Sequence, residues 1–373
     1  MDFSLSSETE AVRDLATRIL TEQSTVDRLA ELDAENDWID RRTYRELAEA
    51  GIVGIALPED VGGAGLGFLE LHYALEQVGA TAAHVPLWET AVVVGLAIAR
   101  HGTDEQRQRL LPAVAAGETL LTVALAEPGP SDARSPATVA RRDDGGWRLD
   151  GVKTQVPLAR SVDRILVSAG TDDGAVGLFL LDPSAEGVTF EEQETVSGKP
   201  HQLLRLEQAP VADQDVLGEV NGSETLHDVL LHAEAGLASL QSGVCAAALK
   251  LSAEYTSERE QFGRPIASFQ AVGQRVADAY IDTEAVRLAA LQAAWRLAEG
   301  LDATEAVAIA KWWAAEAGHR VLHAAHHVHG GVGIDYEYPL HRYFMLGKQI
   351  EFALGHGTQH LQRIGRVLAD EPA

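Results

Sequence analysis

The chain of 373 residues has one cysteine, Cys245, which excludes an intrachain disulfide and any cysteine-built metal framework. That cysteine lies in an apolar helical run, and a reducing compartment is the expectation. Cationic side chains are also scarce: 30 Lys and Arg stand against 56 Asp and Glu, for a net charge of -26. Such a field repels phosphate backbones and anionic bilayers over the range that salt leaves unscreened. Nucleic acid and membranes are therefore excluded as partners, and an anionic ligand must meet a local cluster of basic side chains and backbone donors. Long apolar runs are missing as well. The longest, 91–99, is far too short to span a bilayer. The opening MDFSLSSETEAVRDL is acidic and polar where a secretory leader would be basic and then apolar. A soluble, cytoplasmic protein is expected. There are no internal repeats, low-complexity tracts or disordered linkers, only a short polar tail after Leu368.

What is present is a change of period along the chain. A chain of this length suits two or three packed domains. From 8 to about 117 apolar residues recur at three- and four-residue spacing, broken by the loop LPEDVGGAGLG. From 119 to about 220 the pattern turns to short alternating or β-branched runs (LLTVALAE, WRLDGVKTQV, RILVSAG, GLFLLD, VTFEE, LLRLEQ), with turn signals such as Asp143-Asp144-Gly145-Gly146 between them. Long helical patterns return at about 224–257, 269–299 and 303–329. In the second, Val272, Val276, Tyr280, Thr283, Val286, Ala290 and Ala294 form one apolar stripe. The expected fold is α+β and mostly α: an N-terminal helical domain (1–118), an antiparallel, barrel-like β-domain (119–222) and a helical bundle (223–373).

This α–β–α order, together with the strings GIVGIALPEDVGGAGLGFLELHYALEQVG, HGTDEQRQRLLPAVAAGE, YTSEREQFGRPIASFQAVGQRVAD and HHVHGGVGIDYEYPLHR, resembles the acyl-CoA dehydrogenases over nearly the whole chain. The resemblance implies an FAD shared at a subunit interface. Arg259 and Phe262, with Gln270 beside them, would reach a neighbour's FAD, a guanidinium suiting a pyrophosphate bidentately. Gly330 and Gly331 would let backbone amides approach the cofactor. His327 replaces a family glutamine near the flavin, and Thr358 matches a threonine near the diphosphate. Read without the resemblance, Arg259 is a surface salt bridge, the glycine pair a helix C-cap and Thr358 a helix N-cap.

The sequence departs from the family where the chemistry lies. The family reaction takes a proton from the carbon next to the thioester carbonyl and passes a hydride to flavin, and it needs a positioned base. That base is a glutamate in Glu-Gly-Thr, and here the string is Leu354-Gly355-His356-Gly357-Thr358. Imidazole accepts protons at neutral pH, so His356 is one candidate base; the other reading is a polar residue in a vestigial pocket. The family's second base position falls on Ala233, with Glu234 next to it. Glu234 is thus an outside candidate, its plain reading a solvated helix-face carboxylate. Two flavin-contacting stretches are altered too. Ala124-Leu125-Ala126-Glu127-Pro128-Gly129-Pro130-Ser131-Asp132 lacks the family threonine and is shorter. Gln155-Val156-Pro157-Leu158-Ala159 replaces Trp-Ile-Thr/Ser-Asn-Gly, losing an indole and, at Pro157, a backbone donor.

Losses confined to the chain's own flavin half-site resemble the non-catalytic subunits of actinobacterial heteromeric (α2β2) dehydrogenases of steroid side-chain CoA esters. The implied partners are a homologous subunit carrying the glutamate, an acyl-CoA and an electron-transferring flavoprotein. Two alternatives stand beside this reading: a self-sufficient homotetramer using His356 or Glu234, and a flavin-free acyl-CoA-binding scaffold. His323, His326, His327 and His329 cluster near a helix end. Three of them, His323, His326 and His327, have a spacing that would let them share a helix face as metal ligands, against a cofactor contact or helix-end packing; no metal is expected. LPEDVGGAGLG has no following Lys-Ser/Thr and is no P-loop. No Gly-x-Ser-x-Gly elbow or Cys/His pair is present.

Overall fold

The computed structural model describes residues 5–35, 38–129, 132–218 and 222–370. Among the described residues six helices come first: α1 (Ser7–Gln23), α2 (Val26–Glu35), α3 (Arg41–Glu49), α4 (Phe68–Thr81), α5 (Leu96–His101) and α6 (Asp104–Ala115), with a π-helical stretch at Trp88–Gly95. Local chemistry sets their starts. Ser6 caps α1 by accepting the Thr9 amide, and Thr103 and Gln106 close a reciprocal capping box on α6. Eight strands follow: β1 (Leu121–Ala124), β2 (Val139–Asp143), β3 (Gly146–Pro157), β4 (Arg164–Thr171), β5 (Val176–Leu181), β6 (Val188–Gln193), β7 (His201–Val211) and β8 (Val216–Leu217). Then come α7 (Ser223–Glu258), the short strands β9 (Glu260–Gln261) and β10 (Arg264–Pro265), α8 (Gln270–Ala298), α9 (Thr304–His329), α10 (Leu340–Phe352) and α11 (Gly357–Asp370).

The fold is α+β and mostly helical, with the strands in the order β6-β7-β3-β2-β4-β5-β8 and β1 joined to β4. The expected antiparallel sheet is in fact mixed, because β4 runs parallel to both β1 and β2. Alternating burial reveals which face a residue takes but not the direction of the strand beside it, so the sequence carried no sign of this.

Packing groups the chain into two compact units, one of Met1–Thr43, Phe68–Val85 and Glu234–Ala373, the other of Tyr44–Gly67 and Pro86–Ala233. Among its described residues the first is helical apart from the β9/β10 hairpin. In it α4 and α7 cross so closely that a Cβ on Gly79 would strike the Leu240 carbonyl and one on Gly243 the Glu76 carbonyl. Helix α9 buries a run of alanines, among them Ala308, Ala310, Ala314 and Ala317, and small side chains of this kind let neighbouring helices approach. The expected stripe on α8 holds at Thr283, Val286, Ala290 and Ala294, all buried, but Tyr280 is 57% exposed and lies off it.

The second unit holds both helices and the main sheet, with Ile165, Val167, Phe179, Leu181 and Leu204 fully buried. It also buries charge. Lys153 is 0% exposed and donates to Glu127 Oε1 at 2.7 Å and to Ser168 Oγ at 3.2 Å. Lys199 pairs with buried Glu89, and the same environment pushes the His201 pKa down to about 4, burial first and the Lys199 charge second. Among the described residues no helix is long and apolar enough to cross a membrane.

Candidate functional site

Helix α7 ends in an arm. The Arg259 amide still donates to the Tyr255 carbonyl, and the Arg259 carbonyl accepts the Ile266 amide, so the chain leaves the helix and returns within one short hairpin. Its tip is Phe262-Gly263, with φ of 55° and 74°, the left-handed pair a tight two-residue turn needs. Phe262 is held out at 92% exposure. Behind it the Phe262 ring meets Phe269 edge-on, and Arg264 lies over Phe269 at 4.2 Å. Gln270, also exposed, opens α8 directly after this aromatic base.

The glycine pair closes helix α9. Helix α9 ends at His329, and Gly330 follows with φ 59° and ψ -135°, a conformation a side chain would strain. Nothing lies within 4 Å of a Cβ placed on Gly330 or Gly331, so the backbone stands open to an approaching group. His329 joins the two motifs: its ring stacks on Tyr255 at 4.5 Å. Nδ1 is 2.8 Å from the Ala325 carbonyl, which can only accept, and this fixes the tautomer and leaves Nε2 to accept from the Tyr338 hydroxyl at 3.0 Å. Arg259, Phe262, Gln270, Gly330 and Gly331 thus share one end of the helical unit, and His327 is exposed on the last turn of α9 beside them.

His356 and Thr358 lie elsewhere. Lys311, fully buried, donates to the carbonyls of Ile350 (2.9 Å), Glu351 (3.4 Å) and Gly355 (3.1 Å), fastening this loop to the first third of α9. At 1.5 Å per residue that point is about 28 Å along the axis from Gly330. His356 is exposed and serves as the N-cap of α11, its Nδ1 accepting the Thr358 amide at 3.3 Å. The cap expected of Thr358 is therefore supplied by His356. Burial pushes the Lys311 pKa down to about 8, against the pull of Glu234 and Glu351.

Glu234 corrects an expectation. It is no solvated carboxylate: it is 0% exposed, and Arg363 Nη1 donates to its Oε2 at 2.6 Å. The histidines do not converge as ligands either. His323 and His326 both pack edge-on against Phe344, at 5.2 and 4.3 Å, while His327 points to solvent. Among the described residues no group of three or more His, Cys, Asp or Glu is placed to hold a metal.

In the second unit the stretch that replaces the family's flavin-facing strand is sealed on itself. The Thr154 amide donates to the Ala126 carbonyl at 3.0 Å, Gln155 to Gln193 Oε1 at 2.8 Å, Leu158 to the Pro200 carbonyl at 2.9 Å and Ala159 to Gln202 Oε1 at 2.8 Å. Val156 is paired with Gln202 in the β3/β7 ladder, and Pro157 has no amide to give. Gln155 and Leu158 hold φ of 54° and 56° to make these bonds, a strain the surrounding contacts must support. Val156, Leu158 and Ala159 are at most 1% exposed. A flavin ring would find the amides of Thr154, Gln155, Leu158 and Ala159 already bonded, so this stretch does not fit one, whereas the arm and the glycine turn leave exposed side chains and open backbone. In the neighbouring loop Glu127 accepts from the amides of Ala137 and Thr138, the Thr138 hydroxyl and Lys153. Pro130 and Ser131 of that loop lie outside the described residues.

Sequence reasoning missed Lys311, Arg363 and Lys199, and it placed His329 only in the histidine cluster at the end of a helix, not as the link between Tyr255 and Tyr338. Lys311 was marked only by a lone charge inside AVAIAKWWAA, and Arg363 and Lys199 by nothing local.

Known proteins resemble the chain from end to end. Residues 6–118 match the acyl-CoA dehydrogenase N-terminal domain, 122–208 the middle domain and 221–369 the C-terminal domain. The chain is 40% identical to acyl-CoA dehydrogenase FadE27 of Mycobacterium tuberculosis, with 100% of both covered. It is 33% identical to FadE28 of the same organism, with 98% of each covered. A variant of the Tcur3481-Tcur3483 steroid ACAD superposes with a TM-score of 0.93 at 44% identity, covering 98% of this chain and 99% of that one. The ChsE4-ChsE5 complex of Mycobacterium tuberculosis gives 0.94 at 40% identity, with 100% of both covered. On this footing the chain belongs to the acyl-CoA dehydrogenase family.

Proposed function

We propose that this chain is the non-catalytic subunit of a heteromeric, FAD-dependent acyl-CoA dehydrogenase, three-domained along 1–118, 119–222 and 223–373. It completes the cofactor site of a homologous partner that carries the glutamate base. The observation that carries this reading is the sealed strand: the amides of Thr154, Gln155, Leu158 and Ala159 are all spent inside the chain, while the Arg259 arm and the Gly330-Gly331 turn are open. Glu234 is bound to Arg363 and His356 caps a helix, so neither is set as a free base. The similarity to a complex of two proteins and to a steroid ACAD supports a heteromer, and a steroid side-chain CoA ester is the substrate class of this proposal. When bound, FAD supplies the hydride acceptor for α,β-desaturation of the thioester, and an electron-transferring flavoprotein is the onward acceptor.

This chain's own share is binding and orientation. Arg259 would pair with the diphosphate, the Gly330 and Gly331 amides would approach it, and Phe262, Gln270 and His327 would line its flank; Thr358, at the far end of α9, would serve a different stretch of cofactor or none. The test is the visible spectrum and native mass of the chain alone and with its partner. A colourless chain that turns yellow in an equimolar complex with half a flavin per chain supports the reading; a yellow homotetramer overturns it. In the complex, Arg259→Ala should lower flavin occupancy several-fold at unchanged native mass, and full occupancy would remove Arg259 from the site. His356→Ala should cost about 1 kcal/mol as a lost cap and leave turnover within twofold. A loss of about a hundredfold would instead mark it as the base.

A further inference from the structure

Three elements at the open end of the helical unit converge on one buried side chain, His329. Its ring stacks on Tyr255 at 4.5 Å with an interplanar angle of 22° and lies 5.2 Å from the Tyr338 ring, and the two tyrosines meet edge-on at 6.4 Å. Each neighbour bears on a different part of the surface. Tyr255 is on the last turn of α7 and its carbonyl receives the Arg259 amide at 2.8 Å, so a shift of Tyr255 moves the root of the arm. Tyr338 stands just before α10, its carbonyl 2.7 Å from His341 Nδ1. His329 itself precedes Gly330, whose φ of 59° and ψ of -135° the surroundings must hold. Packing alone would ask only for an aromatic ring here, yet both nitrogens are used: Nδ1–H donates to the Ala325 carbonyl and Nε2 accepts from the Tyr338 hydroxyl. A buried imidazole bonded at both nitrogens has its ring rotation fixed as well as its position.

We infer that His329 is a positioning residue: by bonding α9 to Tyr338 and stacking on Tyr255 it holds the Arg259 arm and the Gly330-Gly331 turn as one unit, so that the guanidinium and the amides meet a diphosphate together. The inference rests on the proposed function and adds to it a residue that acts through others. The bonding pattern requires a neutral ring, because an imidazolium has no lone pair left for the Tyr338 hydroxyl. Burial holds the His329 pKa below the ordinary imidazole range, against the pull of the Ala325 and Leu251 carbonyls. The titratable groups around the cluster are Glu254 and Glu258 on α7, which act on Tyr338, His326 on α9 and His341 on α10. The locked form is therefore complete near neutrality and is lost as pH falls through that lowered pKa.

The experiment pairs amide exchange in the full chain alone with flavin titration of the heteromeric complex. His329→Phe keeps an aromatic ring against Tyr255 and removes both hydrogen bonds; Tyr338→Phe removes a single hydroxyl and spares the fold. In the chain alone the Ile266 amide, which closes the arm on the Arg259 carbonyl, should exchange about tenfold faster in either variant, the effect of one lost hydrogen bond. In the complex either variant should weaken flavin binding by about tenfold at unchanged native mass, and the double variant by no more than His329→Phe. Wild-type flavin affinity should fall between about pH 7 and about pH 5, and that fall should vanish in His329→Phe. Exchange at the wild-type rate in both variants overturns the inference, as does an acid-induced fall that persists in His329→Phe. Affinity that rises in acid also overturns it, by making His329 a cation for the diphosphate. A wild-type complex without flavin overturns the proposed function and this inference with it; a complex weakened by Arg259→Ala and untouched by His329→Phe and Tyr338→Phe overturns the inference alone.

Discussion

Arg363→Met should cost about 3–5 kcal/mol, because it strands a buried carboxylate rather than merely deleting a contact. Glu234 is 0% exposed and receives the Arg363 guanidinium at 2.6 Å, so removing the cation takes away a counter-charge that the buried carboxylate cannot replace from solvent. Lys311 softens the blow, since its charge acts on Glu234 and is itself fully buried; its three carbonyl partners, however, hold it in place. The double variant Arg363→Met with Glu234→Leu should regain a large part of the loss, as paired replacements of buried ions commonly do. A double-mutant cycle from denaturant midpoints reads the coupling directly. The same cycle speaks to chemistry. Glu234→Gln in the assembled complex should lower stability and leave turnover nearly intact, whereas a hundredfold fall in turnover at normal stability would make Glu234 a base after all.

How this pair was misjudged shows what a sequence can and cannot carry. Period and turn chemistry located the long helices within a residue or two: 224–257 became Ser223–Glu258, and 303–329 became Thr304–His329. Those features are written locally, in spacing and caps. Burial of a charge is not local. Glu234 and Arg363 are 129 residues apart in sequence, and nothing near either announces the other. Tyr280 failed in the opposite way. It fits the helical period of the buried stripe, yet the helix beside it leaves that side uncovered, a fact of tertiary packing that periodicity does not contain. For the candidate cofactor residues the strings around Arg259 and Gly330 placed the arm and the turn, but the separation of Thr358 from them along α9 follows from Lys311, which no motif marks.

Lys153→Met should lower the thermal midpoint by on the order of 10 °C, from a loss of about 3–5 kcal/mol, and should change how the protein meets acid. Burial alone would raise the Glu127 pKa, but the Lys153 charge and the hydrogen bonds from Lys153 and Thr138 overcome it and hold the group at about 2, against 4.5 when unfolded. The unfolded chain therefore binds a proton at Glu127 sooner as pH falls. The stabilisation from this group is complete above about pH 4.5 and is lost progressively as pH drops toward 2. In Lys153→Met the largest lowering influence is gone, the folded pKa rises toward or past the unfolded one, and the dependence on pH in that window should flatten or reverse while stability at pH 7 falls. Thermal midpoints from pH 7 to pH 3 for wild type, Lys153→Met and Glu127→Gln check this. Parallel curves for all three would mean that the pair contributes nothing. The consequence reaches the proposed assembly, because Glu127 ties the loop after β1 to β2 and β3 through Ala137, Thr138 and Lys153. This loop has lost its threonine yet keeps a four-bond anchor, as expected if its present task is to hold its shape for a neighbour rather than to grip a flavin of its own.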